Sequence, residues 1–175
     1  MESRLKVLGH PLHPILIVFP LGLFITSVVF DIVRIISGNA FFSEVAFWMI
    51  GAGLIGGLFA GTAGLADYVA IPRGTRAARI ASYHGIGNLF VLVAFAIGWV
   101  ARTNAQPHGE LSIFPFICSI VGLMLGGMTA WLGGELVDRL GVGVDNGANV
   151  NASNSLSGRP ASEKASADER EIPAV

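Results

Sequence analysis

Residues 15–36 read ILIVFPLGLFITSVVFDIVRII, and Asp31 and Arg34 are the only charges among them. An α-helix needs about 20 mainly apolar residues to cross the hydrocarbon of a bilayer, so this stretch is a membrane span. Three further runs resemble it: Val45 to Ile71, His84 to Ala101 and Ile113 to Val137. Composition agrees, because 53% of the 175 residues are hydrophobic and 13% are charged, against about 25% charged in ordinary soluble domains. The sequence predicts an all-α fold, a four-helix transmembrane bundle at residues 1–141 lying in the lipid bilayer. A disordered C-terminal tail at 142–175 follows, where Asn, Ser, Ala and Gly replace the apolar runs. Such a segment buries too little surface to offset its ordering entropy.

Charge and cysteine content narrow the function classes. A net charge of −1 argues against a nucleic-acid partner, which would want a basic face. The single cysteine, Cys118, lies in the fourth run, which excludes an intrachain disulfide and a cysteine metal cluster and leaves it a packing role. Arg4 and Lys6 resemble the positive end of a signal peptide. The run after them is too long and lacks a cleavage site of small residues, so the first span is expected to stay in the protein.

Positive charge also orients the chain. Arg4, Lys6, Arg73, Arg76, Arg79 and Arg139 fall on one side of the spans, and only Arg34 and Arg102 lie near the other. Short cytoplasmic loops are enriched in Lys and Arg, which places both termini and the middle loop in the cytoplasm and the spans in the cytoplasmic membrane. Trp48 and Trp99 suit an external aromatic belt.

Local signals mark the helix ends. Pro14 suits a first helical position, leaving His13 near the N-cap, and Pro20 is expected to kink the first helix near Leu16. Gly38-Asn39 ends that helix, Ser43 is placed to cap the second, Thr75 the third, and Pro115 opens the fourth. Small residues recur at every fourth position: Gly53, Gly57 and Gly61; Gly56, Ala60 and Gly64; and Gly122, Gly126, Ala130 and Gly134. These rows allow close helix contact in lipid, either within the chain or in a homo-oligomer. No internal repeat is evident.

Because successive spans alternate in direction, His10, His13, Asp67, His84, Asn88 and Glu135 converge on one face. Imidazoles ligate haem iron and transition metals, and a b-type haem in a bundle takes two axial histidines from different helices at one depth. His10 or His13 with His84 meets that requirement. Asp67 lies on the Ala60–Gly64 stripe and is placed to ligate a metal or orient a histidine. His84 and Asn88 are four residues apart and share a helix face. The other reading makes the same groups structural, with Asp67, Glu135 and Asp138 neutralising the arginines at that border. Asp31, near the opposite face, has Arg34 three residues on as a partner, and His108 lies in the loop before span four.

These residues resemble a known family. Gly9-His10-Pro11-Leu12-His13-Pro14 and Phe19-Pro20-Leu21-Gly22-Leu23 match the opening of a bacterial family of four-span membrane proteins with no assigned activity. The match continues through Ala63-Gly64-Leu65-Ala66-Asp67-Tyr68, Ile71-Pro72-Arg73-Gly74-Thr75-Arg76, His84 with Asn88, and Trp131-Leu132-Gly133-Gly134-Glu135. The resemblance covers roughly residues 8 to 144. It implies a polytopic protein of the cytoplasmic membrane. Some relatives are joined to iron–sulfur domains, which implies redox chemistry and a membrane or redox partner. Relatives often carry Tyr and His where this chain has Asp138 and Leu140, so a ligand supplied by that histidine is lacking here.

Two functions are thus expected from the sequence. One is a redox-associated module holding haem or a metal through His10 or His13, His84 and Asp67; the other is a non-catalytic scaffold or partner subunit. A solute or proton path fits less well, because the ionisable groups gather at one face, with only Asp31 near the other, and do not cross the midplane.

Overall fold

The computed structural model describes residues 1–103 and 111–166; His108 lies outside them. Four helices dominate: α1 (Leu12–Ser37), α2 (Phe41–Tyr68), α3 (Arg76–Thr103) and α4 (Ile113–Gly134). Each is long and apolar enough to cross a membrane. Their outward faces carry Val18, Leu58, Phe59, Met124 and Trp131 in exposed positions, as helices in lipid require. α4 passes into a π-helical turn at Glu135–Arg139. A short antiparallel hairpin, β1 (Lys6–Val7) and β2 (His10–Pro11), precedes α1, with Lys6 opposite Pro11 and Val7 opposite His10. Its turn residues Leu8 and Gly9 both have positive φ, 51° and 82°, the pattern of a two-residue type I′ turn.

Most boundaries follow the local chemistry. Gly38 closes α1 in the left-handed conformation, its N–H donating to the Arg34 carbonyl at 3.0 Å. Thr75 Oγ1 accepts the Ala78 N–H at 3.1 Å and caps α3. Two expectations are corrected. Asn39, not Ser43, serves the start of α2, its Oδ1 accepting the Phe41 N–H at 3.0 Å. Helix α1 begins at Leu12 behind Pro11, so His13 lies inside its first turn and not at its N-cap.

The bundle is built from two helical hairpins, α1 packed on α2 and α3 packed on α4, joined mainly through α2 and α3. The two hairpins resemble one another at matched positions, a relation the reading of single spans did not disclose. Positions in α1 recur 71 residues later in α3, as Asp31 and Arg102 do; at this spacing His13, Phe19, Leu21 and Phe24 match His84, Phe90, Leu92 and Phe95. Between α2 and α4 the matched residues are Phe47 with Phe116, Gly53 with Gly122, Leu54 with Leu123, Gly57 with Gly126, and Gly64 with Gly133. Packing repeats too. A Cβ on Gly53 would lie 2.6 Å from Phe24 Cε1, and one on Gly122 would lie 2.6 Å from Phe95 Cε2.

Three pairs of equivalent residues touch each other: His13 with His84, Phe24 with Phe95, and Asp31 with Arg102. A residue meets its own equivalent only beside a two-fold axis. Both hairpins start from the same face, so this approximate axis runs along the bundle, in the manner of parallel repeats whose axis follows the membrane normal. The small-residue rows serve these contacts within the chain. Gly53, Gly57, Gly64 and Gly122 receive Phe24, Leu92, His13 and Phe95, whereas Gly61 and Gly126 face open space.

After Gly141 the chain is irregular. The described part holds only a 3₁₀ turn at Ser155–Ser157 and an isolated bridge between Ala152 and Lys164. It nevertheless lies against the β-hairpin. The Met1 ammonium donates to the Gly141 carbonyl at 2.7 Å, the Gly143 N–H donates to the Met1 carbonyl at 2.8 Å, and Lys6 Nζ bridges Glu2 and Asp145.

Candidate functional site

The axial contacts form three layers. At the face bearing the β-hairpin, His13 and His84 meet with ring centroids 6.3 Å apart and ring planes at 85°. Each ring is held in the same way by its own hairpin. His13 Nδ1 donates to the Ala60 carbonyl at 2.8 Å, and His84 Nδ1 donates to the Thr129 carbonyl at 2.9 Å. A carbonyl only accepts, so both Nδ1 atoms carry a proton, which leaves Nε2 as the lone-pair atom of a neutral ring. One helical turn beyond each carbonyl a glycine leaves room for the ring: a Cβ on Gly64 would lie 2.9 Å from His13 Cε1, and one on Gly133 would lie 3.1 Å from His84 Cε1.

The two rings differ at Nε2. Asn88 Nδ2 donates to His84 Nε2 at 3.1 Å, and Thr129 Oγ1 donates to Asn88 Oδ1 at 2.9 Å. The position equivalent to Asn88 in α1 is Ile17, which offers nothing polar. Among the described residues, His13 Nε2 has no hydrogen-bond partner.

The middle layer is apolar. Phe24 and Phe95 stack at 4.0 Å with planes 7° apart, enclosed by Ile50 and Val91. This stack closes the axis between the two polar layers, which is why the ionisable groups make no continuous path.

The third layer lies near the opposite face. Arg102 Nη1 donates to Asp31 Oδ1 at 2.7 Å and Nη2 to Oδ2 at 2.5 Å, with both side chains fully buried. Ser119 Oγ lies 3.4 Å from Nη2. Here the sequence reading is corrected: the partner of Asp31 is Arg102 across the axis, not Arg34 on its own helix. The 71-residue spacing shared with the histidine pair was the signal that could have found it.

The polar convergence expected at the hairpin face is only partly realised. The structure brings His13, His84 and Asn88 together. Asp67 instead binds the amino-terminal segment, accepting from Ser3 Oγ at 2.7 Å and from the Arg4 N–H at 2.8 Å. Glu135 pairs with Arg76 at 2.6 Å. His10, in β2, faces the tail with Nε2 3.4 Å from Ser155 Oγ. It lines an open cleft of about 850 Å³ between the hairpin and the tail. Trp99, half-buried, donates its Nε1–H to the Phe47 carbonyl at 3.1 Å.

Four apolar helices in two related hairpins, with polar layers at both ends of one axis, define a polytopic helical membrane protein. The chain belongs to the family described as "Predicted membrane protein (DUF2231)", whose model matches residues 9–146. No curated protein and no solved structure matches it.

Proposed function

We propose that this protein is a redox-associated membrane module that binds one b-type haem between His13 and His84. The observation that carries the reading is the matched fixing of the two imidazoles. Metal-bound histidines nearly always donate their second ring N–H to a carbonyl, carboxylate or water, and both rings here do so to a backbone carbonyl. Spacing is compatible as well. A metal–nitrogen distance of about 2.0 Å, with about 1.2 Å more from each nitrogen to its ring centre, puts two axial imidazoles about 6.4 Å apart. The rings stand at 6.3 Å.

The donor set favours haem over a bare ion. Haem iron has four porphyrin nitrogens and needs two more ligands. A bare transition metal needs more protein ligands, and among the described residues no group of three or more His, Cys, Asp or Glu comes together. His10 and Asp67 therefore drop out of the ligand set and serve the hairpin and the amino terminus. When bound, the haem would supply one-electron chemistry, and the chain's part is to hold two proton-fixed imidazoles inside a water-poor bundle. The loop arginines favour an orientation with this face and the termini on the cytoplasmic side of a bacterial membrane, where a redox or membrane partner would meet it.

A scaffold role is the second reading. It is favoured by the Asn88 amide already donating to His84 Nε2, which satisfies that ring without any ligand. Protein purified in detergent from cells supplied with haem separates the two. The haem reading expects a Soret band at one haem per chain, lost in His13→Ala and His84→Ala variants that keep their helical circular dichroism. Folded wild-type protein with no such band overturns it in favour of the scaffold.

A further inference from the structure

We infer that Asn88 is a positioning residue that makes the two halves of the histidine centre unequal, by competing for the lone pair with which His84 would ligate. The inference rests on the haem reading and concerns how this chain controls that site. The argument begins from symmetry. His13 and His84 sit in equivalent places with equivalent Nδ1 bonds and equivalent glycine seats. Against that background one difference at Nε2 stands out: α3 carries Asn88 one turn deeper, and α1 carries Ile17.

The hydrogen-bond directions follow from the fixed tautomer. His84 Nδ1 gives its proton to the Thr129 carbonyl, so Nε2 can only accept, and Asn88 must present its NH₂ group to it. That leaves Asn88 Oδ1 as an acceptor, which the Thr129 hydroxyl fills at 2.9 Å. Thr129 therefore anchors His84 twice, through its own carbonyl and through its hydroxyl on Asn88. The amide cannot turn away from the ring without breaking the bond from Thr129.

Ligation then costs the two rings different amounts. His13 offers an Nε2 with no partner among the described residues, whereas His84 must first give up the Asn88 N–H, which stays behind in an apolar bundle. His13 is accordingly the standing ligand, and His84 the one that exchanges between Asn88 and iron. The wild-type site is expected to hold ferric haem as a mixture of His13-only, high-spin and doubly ligated, low-spin forms.

The test is a hemin titration of the full chain in detergent, read by absorbance and by spin state, for wild type, Asn88→Leu, Thr129→Val and His84→Ala. Asn88→Leu keeps the side-chain shape and leaves the Thr129 hydroxyl its second acceptor, the Gly126 carbonyl at 3.0 Å. Releasing one hydrogen bond should tighten hemin binding about three- to ten-fold and raise the low-spin fraction. Thr129→Val, which frees the amide without removing it, should fall between Asn88→Leu and wild type and serves if Asn88→Leu folds poorly. His84→Ala should be wholly high-spin. Equal affinity and equal spin state in wild type, Asn88→Leu and Thr129→Val, with His84→Ala still losing the low-spin form, overturns the inference and leaves the haem reading standing. No Soret band in any folded variant overturns both.

Discussion

Replacing Asp31 with Leu should be among the most damaging single changes in this bundle, and replacing Arg102 with Met at the same time should largely repair it. The carboxylate accepts two N–H bonds from Arg102, at 2.7 and 2.5 Å, and both side chains are fully buried. Hydrogen bonds to charged groups are each worth about 1.5–3 kcal/mol, so losing both costs about 3–6 kcal/mol. The range agrees with the about 3–5 kcal/mol found when one partner of a buried ion pair is removed and the other charge stays behind. With both charges gone the apolar surroundings accept the new side chains, and the double variant should lie within about 1–2 kcal/mol of wild type, since apolar replacement of a buried pair is often neutral or stabilising. Arg34→Met, by contrast, should cost less than about 1 kcal/mol, as substitutions away from such networks do. Unfolding in mixed detergent micelles, followed by circular dichroism, supplies the four values of the double-mutant cycle. Additive single effects, or an Arg34 variant as damaged as the Asp31 one, would refute the cross-axis pairing.

Gly53→Ala and Gly122→Ala should each destabilise by about 1–3 kcal/mol through overpacking, because the new methyl meets a stacked phenyl ring at 2.6 Å, while Gly61→Ala, with nothing within 4 Å, should be near neutral; the same unfolding assay ranks the three. The Lys6 latch on the tail should depend on pH. The Lys6 hydrogen bond holds the Glu2 carboxyl below its ordinary 4.5, so its stabilisation is complete above that pH and is lost as pH falls through the lowered value. Hydrogen bonds to Asp145 and Glu2 raise Lys6 above its ordinary 10.5, so that contribution is complete below 10.5 and fades as pH rises through the raised value. Hydrogen-exchange protection factors of residues 142–166, taken against the intrinsic rate at each pH, should therefore be highest between those limits and lower at either extreme. Leu8→Asn should stabilise the β-hairpin by about 1 kcal/mol, because Leu8 has φ 51° and asparagine tolerates the left-handed region that costs other residues about 1–2 kcal/mol; protection of the Leu12 N–H, which bonds to the Leu5 carbonyl, reports it.

What the sequence made legible was local or compositional. Span length, the left-handed Gly38 and the Thr75 cap each depend on neighbouring residues. The meeting of His13 with His84 followed from chain direction alone. The duplication stayed hidden for a definable reason. Residues of α1 recur in α3 at one spacing and residues of α2 recur in α4 at a spacing two residues shorter, so no single offset aligns both helices, and lipid-facing positions are free to vary among apolar residues. The Asp31 partner was missed with it, since Arg34 lies one turn away while Arg102 is distant in sequence and joins it only through the two-fold arrangement. Asp67 was misplaced because Ser3 and the Arg4 N–H, in a segment with no strong pattern, claim both its oxygens.

The most direct test of the central claim is electron paramagnetic resonance on the ferric, haem-loaded protein. Two axial imidazoles held by the Ala60 and Thr129 carbonyls with planes 85° apart should give the strongly axial low-spin signal of near-perpendicular rings, absent from His13→Ala and from His84→Ala. A rhombic signal of parallel rings, or a low-spin signal that survives in either histidine variant, would contradict the account.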